Sequence, residues 1–112
     1  MITAKLFQNE AARYWGFQIS GHADYAEVGE DIICAAVSAL ALNTINSIEA
    51  LTPARPDNRI EEGFLRCQIW QLKEDPASCP QASLLLDALA LGLQSIVESY
   101  GTEYLCVSTI QI

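Results

Sequence analysis

The chain has 112 residues, 51% of them hydrophobic, and a net charge of −8 from 14 acids against 6 bases. That is enough apolar matter for one core without disulfides or a structural metal. The acidic balance argues against direct nucleic-acid binding, which needs clustered Lys and Arg.

Four cysteines are present. Met1 leads into a strand-like pattern rather than a basic segment followed by an apolar one, so no signal peptide is expected. Free thiols, a cytoplasmic setting and a single domain over residues 1–112 are therefore expected. The nearest approach to a membrane span, Ala82 to Val97, is short and broken by Asp87 and Gln94, so no membrane segment is expected.

In Met1 to Phe7, Ile2, Ala4 and Leu6 alternate with Thr3 and Lys5, which predicts a strand with one apolar face. Gln8 to Arg13 is turn-like. Tyr14 to Ile19 is aromatic-rich and predicts a second strand, closing a hairpin. Gly16 inside it signals a bulge or a close backbone approach. Ser20 and Gly21 end the strand, and His22 to Glu30 has neither a helical nor a strand period. That loop is a candidate flap.

Asp31 is placed as the N-cap of a helix running to about Leu51, where Pro53 and Pro56 stop it. Val37, Leu40, Ala41, Ile45, Ile48 and Leu51 form its apolar ridge. A short strand follows from about Arg59 to Glu61. Glu62 and Gly63 make a turn, and Phe64 to Leu72 alternates as a longer strand. Lys73 to Ser78 is a connecting loop. A second helix starts near Ser78 or Cys79, with Pro80 suited to the first helical position, and stops at Gly101. Leucines extend most of the way around it, which predicts a second burial partner, most simply another copy of the chain. Tyr104 to Ile112 is the last strand. The fold class is α/β of the α+β type: two helices on a largely antiparallel five-stranded sheet, in the order ββαββαβ.

The chemistry centres on His22, the one histidine, and Cys34. Placed in the first turn of a helix, a cysteine gains thiolate character from unpaired N–H groups and the helix dipole. The same N–H groups can hold an oxyanion. Cys67 and Cys106 sit in strands at core-facing or mixed positions, where a cysteine is ordinarily a small buried hydrophobe. Cys79 is also near a helix start, but no base lies near it in sequence. A lone loop histidine is ordinarily a solvated bystander. Its loop, however, leads directly into the helix bearing Cys34.

Asp31 has two readings, as helix cap or as the group that orients His22. Ser38 lies one turn beyond Cys34 on the same face. It either contacts the substrate region or back-bonds to the helix, the second being the commoner arrangement. No metal site is expected, because His22 and Cys34 lack companions at ligand spacing. No phosphate-binding glycine motif is present, and no cofactor is expected. A non-catalytic dimeric module that binds a peptide is the rival reading, and a redox thiol a third.

The run Gly21-His22-Ala23, followed by Gly29-x-Asp31-Ile32-Ile33-Cys34-Ala35-Ala36-Val37-Ser38-Ala39-Leu40, resembles the signature of the ribosomal-processing cysteine proteases (the Prp family). Ile33 stands where that pattern has valine, a conservative change. Ala88 to Ile96 resembles the family's second helix, and with the element order the resemblance spans the chain. It implies a cytoplasmic homodimeric cysteine protease that removes a short N-terminal extension from a large-subunit ribosomal protein. It implies His22 as the catalytic histidine and Cys34 as the nucleophile. Asp31 matches an acidic position of the motif. Gly21 and Ser38 are candidates for substrate contact.

Overall fold

A computed structural model describes residues 1–21 and 28–112, with only the backbone described for 28–30. His22 and the loop to residue 27 lie outside the described residues. Strand β1 (Ile2–Gln8) pairs antiparallel with β2 (Tyr14–Ser20), as the hairpin reading expects. Helix α1 spans Val28–Leu51. Strands β3 (Asp57–Glu61) and β4 (Phe64–Gln68) form a second hairpin around Glu62 and Gly63. A short helix α2 (Trp70–Glu74), the long helix α3 (Pro80–Tyr100) and strand β5 (Leu105–Gln111) complete the chain.

The sheet order is β3-β4-β2-β1-β5. Three of its pairings are antiparallel, and β5 joins β1 in parallel. Ile2, Ala4 and Leu6 of β1 face the helices, in register with Phe17 and Ile19 of β2. Leu65 and Cys67 of β4 continue that apolar face. On it α1 buries Ile33, Val37, Ala41, Ile45 and Ile48, and α3 buries Ala82, Leu86, Leu89 and Leu93. Spacings of three and four produce both ridges. Each large aliphatic side chain so buried contributes about 2 kcal/mol. Asn43, Asn46 and Glu49 point outward, as expected, and Leu51 is also exposed.

Two close approaches fix the layers. A Cβ on Gly92 of α3 would lie 2.7 Å from Leu40 Cδ2 of α1. A Cβ on Gly16 of β2 would run into the Cys67 carbonyl oxygen of β4. Beside Gly16, the pairing jumps from Phe7↔Gly16 to Gln8↔Tyr14, leaving Trp15 as the extra residue of a bulge. Both features expected of Gly16 are present.

Three features depart from the sequence reading. The run from Phe64 does not stay extended to Leu72. Leu65, Cys67 and Ile69 are buried at intervals of two, but the next buried residue is Leu72, three further on. The period changes there from strand to helix. The Ile69 N–H donates to the Trp15 carbonyl, and the Ile69 carbonyl then accepts from Leu72 and Lys73. The second departure is the start of α1, which lies at Val28 rather than after Asp31. Asp31 is therefore not the N-cap but an exposed residue of the first turn. Gly29 reads as a helix breaker, yet Asp31 suits the positive end of a helix dipole. The third is Cys106, which is exposed on the edge strand β5 rather than facing the core. At α3 the expectation holds: Cys79 caps, Pro80 leads, and Gly101 closes the helix with φ 82.

Asp31–Leu51 and Pro80–Tyr100 are each long and apolar enough to cross a membrane by length and composition. This departs from the expectation that no run reaches that length. Each packs one ridge into the core, which is how a core helix comes by the same composition.

Candidate active site

Cys34 stands on α1 six residues after Val28, about 9 Å along the helix axis. It is therefore not in the first turn, and its N–H belongs to the helix ladder. The N–H groups that the helix ladder leaves over are those of a helix's first four residues, and Cys34 is the seventh of α1. The helix dipole acts on Cys34 more weakly than a first-turn placement would imply, because the effect fades within one turn.

Cys34 is half-buried and lines a cleft of about 360 Å³. One wall is a ridge of α1, formed by Cys34, Ser38 and Leu42 at intervals of four. The other wall is the tip of the β3–β4 hairpin, with Ile60, Glu61, Glu62, Gly63 and Phe64. Ile19, Ala41 and Leu65 form the floor where β2, α1 and β4 meet. A mostly apolar groove with a few polar groups on its rim suits an extended peptide.

Gly21 also lines this cleft. Its N–H donates to the Gly63 carbonyl at 3.0 Å, tying the end of β2 to the hairpin turn. Its φ is 90°, and a Cβ there would collide with the Met1 carbonyl oxygen. Only glycine satisfies both conditions. Gly21 thus holds the end of β2 against the hairpin turn, and His22 lies outside the described residues.

Ser38 also lines the cleft, and its hydroxyl does not make the expected back-bond to the Cys34 carbonyl. Thr44, Thr52 and Ser95 do back-bond in this way, at 2.8, 2.7 and 2.9 Å. Ser38 has no such bond among the described residues and is exposed to the cleft.

The other cysteines sit differently. Cys67 is fully buried, and burial, followed by Glu49 and Asp57, pushes its thiol pKa up to about 12. It stays a thiol at neutral pH. Cys79 is buried as the cap of α3, with its sulfur 3.7 Å from Gln81 Oε1. Cys106 is exposed on the edge strand, away from the cleft residues.

Sequence reasoning placed Cys34, Gly21 and Ser38 together but missed the opposite wall. No local signal marks Ile60 to Phe64 as cleft residues. They reach the site only through the β2–β4 pairing, which aligns Ser20 with Phe64.

A two-layer fold with a cysteine in a peptide-sized groove is a candidate thiol-hydrolase scaffold, and comparison with known proteins identifies which. The family model described as Cysteine protease Prp matches residues 1–105. The ribosomal processing cysteine protease Prp of Staphylococcus aureus is 31% identical over 101 residues, covering 90% of this chain and 92% of that protein. The Bacillus subtilis protein of the same name is 28% identical over 102 residues, covering 89% and 90%. The crystal structure of the essential S. aureus Prp with a substrate peptide superposes with a TM-score of 0.84 at 29% identity, covering 98% of this chain and 100% of that one. Its complex with a covalently linked product peptide gives 0.82 at 30%, with the same coverage. The chain belongs to the cysteine protease Prp family.

Proposed function

We propose that this protein is a cysteine endopeptidase that removes a short N-terminal extension from a large-subunit ribosomal protein, with Cys34 as nucleophile and His22 as base. The observation that carries the reading is the position of Cys34: of the four cysteines, it is the one that lines the peptide-sized cleft. The S. aureus relative, of matching fold, has been crystallised with substrate and product peptides.

In the proposed reaction His22 takes the Cys34 thiol proton. The thiolate attacks the scissile carbonyl carbon, forming a C–S bond and a tetrahedral oxyanion. Collapse breaks the C–N bond, and His22 returns the proton to the departing amine. Water then attacks the thioester, releasing the acid and regenerating the thiol. Ser38 and Gly21, both lining the cleft, act as substrate contacts. Asp31 serves to orient the histidine.

The reading includes a cytoplasmic homodimer. Four free thiols suit a reducing compartment. Leu84 and Leu91, seven residues apart on α3, are 67% and 70% exposed, an apolar stripe that a second copy would cover.

Covalent labelling tests the nucleophile. A peptide chloromethylketone at pH 7.5 is expected to modify Cys34 at least about tenfold faster than Cys67, Cys79 or Cys106, by mass spectrometry of the digested protein. Equal, slow labelling of all four favours a non-catalytic peptide-binding module. His22→Ala is expected to lower kcat by about 10²–10⁴-fold. A variant with unchanged turnover and thiol reactivity would show that the histidine is a bystander.

A further inference from the structure

We infer that Glu62, at the tip of the β3–β4 hairpin, is a specificity-determining residue that recognises a cationic side chain of the peptide lying in the Cys34 cleft. The inference rests on the protease reading above and adds the chemistry of one substrate position to it.

Two carboxylates line the cleft, Glu61 and Glu62, and they are not equivalent. Arg59 holds Glu61 with both ends of its guanidinium, Nε to Oε1 at 3.1 Å and an Nη to Oε2 at 3.3 Å. The same guanidinium lies 5.4 Å from the centre of the Phe64 ring. The charge of Glu61 is thereby matched from within the hairpin. Glu62 has no hydrogen-bond or ion-pair partner among the described residues. It is held at the cleft mouth by a turn that is itself fixed, because Gly63, with φ 73, accepts the Gly21 N–H.

Most of the remaining lining is apolar: Ile19, Leu42, Ile60 and Leu65. One unmatched carboxylate on the rim of an apolar groove attracts a Lys or Arg side chain whose aliphatic stem lies on the groove wall. The net charge of −8 draws such a peptide in the same direction from a distance.

The test separates binding from cleavage. Its probe is a ten-residue peptide spanning the processing junction of a large-subunit ribosomal protein, made neutral, plus versions carrying a single Lys at each position in turn. Binding to full-length Cys34→Ala is read by fluorescence anisotropy. The expected result is about fivefold tighter binding for Lys at one or two positions, weakening as salt rises. In Cys34→Ala/Glu62→Gln that preference is lost, in Cys34→Ala/Glu62→Lys a glutamate at the same position is preferred, and in Cys34→Ala/Glu61→Gln the lysine preference persists. A Lys scan in which no position responds overturns the assignment, as does a response that survives Glu62→Gln. The wild-type protein is assayed on the same peptides. Cleavage without a lysine response removes the role of Glu62 alone, whereas a lysine response without cleavage removes the protease reading alone.

Discussion

Cys34→Ala is expected to abolish peptide cleavage while the protein stays folded. The two halves of that result have separate physical causes. Cys34 is only half-buried and packs at the edge of the core, between the buried residues Ile33 and Val37. Removing one sulfur there deletes few contacts, so the cost is about 1 kcal/mol. The melting temperature should fall by no more than about 5 °C. The reaction, by contrast, loses the atom that bonds to the acyl carbon. No other cysteine lines the cleft, and Cys67, at 0% exposure and with a pKa near 12, supplies no thiolate. A loss of at least about 10⁴-fold in kcat is expected. The measurement is cleavage of an extended ribosomal-protein substrate, with circular dichroism on the same sample. Processing by folded Cys34→Ala at a wild-type rate would remove the nucleophile assignment.

The largest effect on stability is expected from Gly16→Ala. The added methyl would run into the Cys67 carbonyl oxygen, with Gln68 Cα and a Phe7 ring carbon each only 3.2 Å away. Two of these three neighbours are backbone atoms of the paired strand, so a side-chain rotation cannot relieve the contact. Relief requires β2 and β4 to separate where Gly16 pairs with Gln68. Overpacking of this kind costs about 3 kcal/mol, or roughly 12 °C in melting temperature for a domain of this size. Urea unfolding measures it directly. A midpoint within experimental error of the wild type would mean that the strands are less closely held than described.

Much of the fold is legible because the chain states its periods clearly. Ile2, Ala4 and Leu6 mark β1, and the leucine ridge with Pro80 and Gly101 marks α3 from start to stop. The misread segments are those where two local signals conflict. Gly29 and Asp31 look like a helix entrance, but the helix begins at Val28. Ile69 continues the alternation of β4, while its carbonyl begins a helix. At the site, the α1 wall follows from simple spacing, since Cys34, Ser38 and Leu42 lie at intervals of four. The hairpin wall depends on which strand β4 chooses as its neighbour. That choice is made by pairing between residues more than forty positions apart, which no short window contains.

The parallel pairing of β1 with β5 bears on how the protein is made. Every described residue lining the cleft lies at or before Leu65, so these residues are synthesised well before β5. Yet β1 is an interior strand, and its second neighbour is β5, which pairs from Ile2↔Leu105 to Gln8↔Gln111. Until β5 emerges from the ribosome, β1 keeps one edge bare. Contacts of such sequence separation are the slowest to form. The order of synthesis therefore acts as a timer: the described cleft residues are encoded early, but the sheet beneath them closes only once β5 has been made.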